Sequence, residues 1–312
     1  MDNVMTCIVL NQKSTESINA GVAFRFAYSQ AKRWKFWIWM ITFFLAVLQT
    51  GVSIFLLKNK APSFDFTPYV VFVLILTVII SSFGKRKVSE WQSLACTIQR
   101  LHDYLVLNIG VKPTQIEIPK GKIIDFSKKW LTKKPEDIKD FEEWWSVKLN
   151  RVPFPVAKVI ATYSTISWEN ELRKKYQTLL TTLIIIIFLG LLSLAIFLNY
   201  TVAQAIIFII APFTPFISVI LDELIANKQS LMVADKLNTA CYSTWESIIM
   251  GKLAHVEIEQ ATEQHMNFWQ THRQLATPIF DWFYRRAKAK MEQEMIINTD
   301  ELIETYLKSL SK

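Results

Sequence analysis

The chain has 312 residues, 51% hydrophobic and 20% charged, with 35 Lys and Arg against 27 Asp and Glu and a formal net charge of +8. Four stretches totalling 80 residues hold no charge at all, so all 62 charges lie in the other 232 residues, where they make up 27%. That distribution excludes a single soluble domain and a disordered chain, because about 20 uncharged apolar residues are what a helix needs to cross a bilayer core of roughly 30 Å.

Residues 1–35 carry five Lys or Arg and two Asp or Glu, and lack the apolar core of a cleaved secretory signal. The first uncharged run, 36–57, is 22 residues long. Trp34, Trp37 and Trp39 stand at its start, where indoles collect at headgroup level. A connector with Lys58, Lys60 and Asp65 leads to the second run, 66–83, of 18 residues. From 88 to 109, Trp91, Leu94, Ala95, Ile98, Leu101 and Leu105 share roughly one helical face, so this membrane helix is predicted to continue beyond the bilayer. Pro113, Pro119, Gly121 and Pro135 interrupt 111–135, where Ile116, Ile118 and Ile123 suit a short hairpin.

Residues 138–149 read as a short helix, closed off by Pro153 and Pro155. The helical pattern resumes at Val156 and leads into the third run, 179–198, of 20 residues. Asn199-Tyr200-Thr201 is formally a glycosylation acceptor, but three residues at the membrane surface read as a turn. The fourth run, 202–221, also has 20 residues and contains Pro212 and Pro215. Each proline removes a backbone hydrogen bond and crowds the carbonyl four residues earlier, so a kink or partial unwinding is expected. Leu231, Ala234, Leu237, Cys241, Trp245 and Ile248 then keep helical spacing up to Gly251. A helix follows over 253–275, Pro278 opens another, and Asn298 with Glu301 resembles a capping box starting a last helix over 302–310.

The expected fold is an all-α membrane protein: four transmembrane helices in two hairpins, extending into a mostly helical cytoplasmic domain. Its segments are a cytoplasmic N-terminal stretch (1–35), hairpin 1 (36–83), a cytoplasmic central segment (84–178), hairpin 2 (179–221) and a cytoplasmic helical tail (222–312). Basic residues near span ends stay cytoplasmic, and Lys32, Arg33, Lys35, Lys85, Arg86, Lys87, Arg173, Lys174 and Lys175 all fall on one side. Both termini are therefore expected in the cytoplasm. The central segment is net +7 and the tail net −3, so the two attract. Cys7, Cys96 and Cys241 sit on this reducing side without a C-x-x-C pair, which supports neither a disulfide framework nor a zinc ribbon.

The uncharged runs hold no ionisable side chain, which argues against proton relays, ion-coupled transport and voltage sensing. Their polar residues, among them Gln49, Thr50, Ser53, Thr77, Thr181, Gln204 and Thr214, suit hydrogen bonding between packed helices or, in a sharper reading, a polar pore lining. Gln49, Gln204, Pro212, Thr214 and Pro215 are the pore and gating candidates, with the two prolines as a hinge. No P-loop, G-x-G-x-x-G, H-E-x-x-H or G-x-S-x-G pattern occurs, and neither a catalytic residue nor a cofactor is expected. His265 and His272 are seven apart with Glu263 nearby, but no spacing matches a metal motif, so no metal site is expected. In the central segment Lys128, Lys129, Lys133 and Lys134 surround Trp130, with Trp144, Trp145, Trp168 and Arg173 further on. Cations beside aromatic planes are the materials for holding a nucleotide, while anionic headgroups and core packing are the plainer uses of the same residues.

Two passages carry a family resemblance. WENELRKKY, from Trp168 to Tyr176 at the edge of the third run, resembles the signature preceding the third helix of the SMODS-associating four-transmembrane effector family. Arg273, PIFDWFYRR from Pro278 to Arg286 and MEQEM from Met291 to Met295 resemble its C-terminal motif of Arg, then Pro-x-x-x-Trp-x-Tyr and a charged helix. The resemblance implies a bacterial antiphage effector that binds a cyclic oligonucleotide messenger in its cytoplasmic domain and disrupts or permeabilises the inner membrane. It implies no enzymatic activity. The partners expected are the messenger, the lipid bilayer and further copies of the chain in a homo-oligomer, with no nucleic acid polymer. Charge and aromatic content make Lys128, Lys129, Trp130, Trp168, Arg173, Arg273, Trp282 and Arg285 the ligand-binding candidates. A constitutive ion channel or transport subunit and a non-conducting membrane-anchored scaffold are the alternatives.

Overall fold

The computed structural model describes residues 7–58, 67–110 and 118–311. Within them every regular element is helical. The α-helices are α1 (Ile8–Gln12), α2 (Thr15–Lys58), α3 (Thr67–Leu107), α4 (Lys120–Leu131), α5 (Lys139–Glu142), α6 (Phe154–Phe197), α7 (Val202–Ala205), α8 (Ala211–Ile249), α9 (His255–Leu275) and α10 (Asp281–Ser309). Short 3₁₀ turns cover Pro135–Ile138 and Val147–Arg151, and a π-helical turn covers Ile206–Ile210.

Among the described residues three stretches are long and apolar enough to cross a membrane: Thr15–Phe55, Phe154–Phe197 and Val202–Ile249. The second uncharged run begins at Phe66, which with Lys60 and Asp65 lies outside the described residues, and α3 carries the rest of it. Phe44, Phe72, Val78, Ile186, Phe188, Phe197 and Val202 are each more than half exposed. Apolar faces of that extent suit lipid and not water.

The chain divides into two compact units. The first comprises Met1–Gln30, Trp91–Lys174 and Gln229–Lys312, the second Ala31–Glu90 and Lys175–Lys228, and α2, α3, α6 and α8 each contribute residues to both.

In the first unit Ala20, Ala23 and Ala27 make a flat strip on α2 that packs with Ala95 and Ile98 of α3 and Ile123 and Phe126 of α4. A larger core joins Trp145, Leu149, Val156, Ile160, Trp245, Trp269, Ile303 and Tyr306. Phe141 lies directly on α2 because Gly21 has no side chain: a Cβ there would be 2.5 Å from the Phe141 ring.

Three local expectations change. Ile123 belongs to α4 and not to a hairpin; Ile118 lies just before that helix, and Ile116 is outside the described residues. Ile123 and Phe126 bury at helical spacing behind Pro119, which caps the start. The predicted helix over 138–149 is broken into α5 and a 3₁₀ turn, because Gln12 captures the backbone of Trp145. Its Oε1 accepts from Trp145 N at 3.2 Å and its Nε2 donates to Trp145 O at 3.5 Å. The capping-box pattern at Asn298 starts no helix: α10 runs through it, with Met291, Met295, Thr299, Ile303 and Tyr306 buried along one stripe.

In the second unit the 199–201 turn is a helix stop of Schellman type. Asn199 adopts φ 54°, Asn199 N donates to Ile196 O at 3.0 Å and Tyr200 N to Ala195 O at 3.1 Å. Thr201 and Gln204 then cap the next helix reciprocally. The distortion expected from Pro212 and Pro215 takes the form of the π turn Ile206–Ile210, directly before Pro212. Wider i to i+5 spacing accommodates a residue that cannot donate, after which α8 continues through Pro215. Span hydroxyls mostly serve their own helices: Ser53, Thr77, Thr181 and Thr214 donate to the carbonyls of Gln49, Val73, Gln177 and Ile210 at 2.8–3.2 Å.

Candidate functional site

In the first unit the two motif-bearing segments meet. The Trp168 ring on α6 lies 5.6 Å from that of Tyr284 on α10 and 5.9 Å from that of Trp144. One turn later Arg173 donates from Nη2 and Nε to Glu169 Oε1 at 2.8 and 3.0 Å, and from Nη1 to the carbonyl of Thr277 at 3.4 Å. Arg273, in the last turn of α9, donates to Asp103 Oδ2 of α3 at 2.7 Å with its guanidinium 5.3 Å above Trp269. Gln270 Nε2 reaches the same Asp103 oxygen at 3.4 Å.

A third element fixes the connector between α9 and α10. Gln92 of α3 donates its amide to the carbonyls of Arg273 and Gln274, both at 3.1 Å, and to that of Ala276. The last carbonyls of a helix have no partner within it, and here one buried side chain serves them. Gln92, Cys96, Gln99 and Asp103 fall on one side of α3 at intervals of four, three and four residues. The middle two receive Tyr28, whose hydroxyl lies 3.2 Å from Cys96 Sγ and donates to Gln99 Oε1 at 2.9 Å.

The cluster is nearly sealed. Side chains of Arg273 and Asp103 are each 7% exposed and that of Arg173 is 4% exposed. Burial lowers the His102 pKa to about 3, with Arg273 and Arg25 adding to the effect. Burial likewise takes His272 down to about 4, Arg173 and Arg273 outweighing Glu169. Asp103 is raised by burial against the pull of Arg273. Glu169 is lowered: burial opposes its charge, but Arg173 and Arg273 prevail. Both guanidinium groups thus already hold carboxylates, while Trp168 Nε1, Trp269 Nε1, Arg273 Nε and Thr277 Oγ1 have no hydrogen-bond partner among the described residues. Donor groups outnumber acceptors, which is the polarity an anion would meet.

The structure brings Trp168, Arg173 and Arg273 into this cluster and places the other ligand candidates elsewhere on the first unit. Lys128 and Lys129 are exposed on α4, Lys129 pairing with Asp125 at 2.6 Å. Trp130 donates Nε1 to Asp137 at 2.7 Å and carries Lys134 Nζ 4.9 Å above its ring. Asp137 also meets Arg25 at 3.0 Å, Arg25 meets Asp140 at 2.6 Å, and Asp140 meets Lys288 of α10. Trp282 and Arg285 are exposed at the start of α10. His265 Nε2 lies 2.9 Å from Thr244 Oγ1, whereas His272 stacks on Trp269, so the two histidines have separate neighbours. In the second unit Gln49 and Pro212 are buried, Gln204 is occupied as a cap, Thr214 is exposed and Pro215 half-buried.

Gln92, Asp103 and Glu169 escaped the sequence reading. A signal existed: four polar or sulfur-bearing residues at helical spacing between the apolar positions of α3.

Residues 6–302 match the family described as the SMODS-associating 4TM effector domain. The chain belongs to that family, whose description is that of an effector and not of a known enzyme, and with its long apolar helices it is a membrane protein. No curated protein and no solved structure gives a significant match.

Proposed function

We propose that this chain is a bacterial antiphage effector that binds a cyclic oligonucleotide messenger through its first unit and permeabilises the inner membrane with its second. The observation that carries the proposal is the family match over 6–302, since the family is named for its association with SMODS signalling. Convergence of both motif segments on one buried arginine cluster supports the first unit as the receiver. The charge-free, lipid-suited helices support the second unit as the part that acts, through four spans with both termini in the cytoplasm and several copies assembled. Four helices alone make a narrow pore at most.

Arg173 and Arg273 are held by Glu169 and Asp103, so messenger phosphates would compete with those carboxylates for guanidinium donors. Bidentate binding of phosphate by arginine makes that exchange chemically balanced. The unpartnered indole and guanidinium N–H groups would add donors to phosphate or base oxygens.

Purified protein in dye-loaded liposomes, challenged with a panel of cyclic di- and trinucleotides, tests the reading. Leakage confined to one messenger is expected. Leakage without nucleotide would favour a constitutive channel, and folded, inserted protein that never leaks would favour a membrane-anchored scaffold.

A further inference from the structure

The second unit contains a buried charge pair that the uncharged runs conceal. Lys35 directly precedes the first run and Glu223 follows the fourth by two residues, yet both are buried, at 4% and 8% exposure. Lys35 Nζ donates to Glu223 Oε1 and, at 3.3 Å, to the hydroxyl of Tyr176, which is 0% exposed. Tyr176 in turn donates to Glu223 Oε1 at 3.1 Å, and the ammonium lies 5.4 Å from the centre of its ring. The three side chains come from α2, α6 and α8, and each meets both others.

Around this triad the remaining polar contacts of the unit repeat the pattern. Gln177 of α6 accepts from Asn227 of α8 at 2.8 Å, and Lys85 of α3 meets Asp222 of α8 at 2.8 Å. Lys85 and Asp222 are each 55% exposed, so solvent screens that pair. The Lys35–Glu223 pair is not screened, and a charge shut away from water is strongly unfavourable without its partner.

We infer that Lys35, Glu223 and Tyr176 form a latch that holds α2, α6 and α8 together at the ends of the spans, and that opening of the membrane path requires it to part. The inference rests on the permeabilising reading above and names the regulated step within it. Ionisable groups buried at membrane helices are costly and tend to be functional. A Lys–Glu–Tyr set can separate only when each group finds water or another partner, which makes the closed arrangement a distinct state.

Glu223→Gln and the exchanged pair Lys35→Glu with Glu223→Lys test this. In dye-loaded liposomes without nucleotide, Glu223→Gln is expected to leak at least about tenfold faster than the parent, and the exchanged pair to return to within about twofold of it. Equal leakage from both variants, or none above the parent from Glu223→Gln in a protein that leaks with messenger, overturns the latch. A second readout does not depend on leakage. Cysteines replacing Trp39 and Phe216, whose rings lie 6.1 Å apart, are crosslinked in a background with Cys7, Cys96 and Cys241 changed to Ser. Several-fold weaker crosslinking is expected in Glu223→Gln, restored by the exchanged pair. Unchanged crosslinking overturns the latch. A loss of crosslinking in a protein that no nucleotide makes leak overturns the permeabilising reading and leaves the latch standing.

Discussion

Asp103 and Arg273 show what a single buried pair demands. Removing one partner strands the other charge away from water, so Asp103→Asn is expected to cost about 3–5 kcal/mol of stability, read by chemical unfolding in detergent; a loss below about 1 kcal/mol would mean that Arg273 has another partner. His102 and His272 set a pH dependence. Their folded pKa values, about 3 and about 4, lie below the ordinary 6.5. The unfolded chain therefore takes up protons first as pH falls, and stability drops below about pH 6.5 by up to roughly 1.4 kcal/mol per pH unit for each histidine. The loss levels off once pH passes the folded values. His102→Gln should flatten the acid limb of melting temperature against pH, and an unchanged limb would show that His102 does not contribute. Trp168, Arg173 and Arg273 were legible because their motifs stand out in the chain. Their carboxylate partners were not, since which acid faces which guanidinium is decided by helix packing.

Among the helices, long ones were easier to foresee than short ones. α6, α8 and α9 follow uninterrupted periodicity, so hydrophobic spacing suffices. The break before Trp145 depends on Gln12, more than a hundred residues away, and no local pattern contains it. At Asn298 a helix-start signal is overridden by the buried stripe of α10, because tertiary burial outweighs a cap worth about 1 kcal/mol. Packing of Phe141 on α2 gives a prediction. Gly21→Ala should destabilise by about 1–3 kcal/mol through overpacking, and Phe141→Leu in the same chain should recover part of that loss in thermal melts. Additive losses would place the clash elsewhere. The π turn before Pro212 also bears on gating. Pro212→Ala with Pro215→Ala is expected to let the turn relax to regular α-helix and to reduce messenger-triggered leakage, whereas unchanged leakage would remove the hinge.

For the whole molecule, the helical class and the membrane-suited stretches were visible in charge distribution alone, because a bilayer enforces length and apolarity. The division into units was harder to see, since four helices pass from one into the other without any linker to mark the change. Orientation is testable directly. Fluorescent-protein fusions at either end should glow and alkaline-phosphatase fusions should be inactive if both termini are cytoplasmic; the opposite result at either end would reverse that hairpin.

The polar stripe of α3 has a mechanical implication. Gln92 and Asp103 are about 16 Å apart along a rigid rod, and between them the rod also holds Tyr28. Turning or sliding the helix by a single residue step misaligns all of these contacts at once. Small pushes are resisted by the whole row, and a sufficient one releases it together. The helix is therefore suited to a threshold response, silent to weak or partial occupancy, where a more loosely attached helix would yield by degrees.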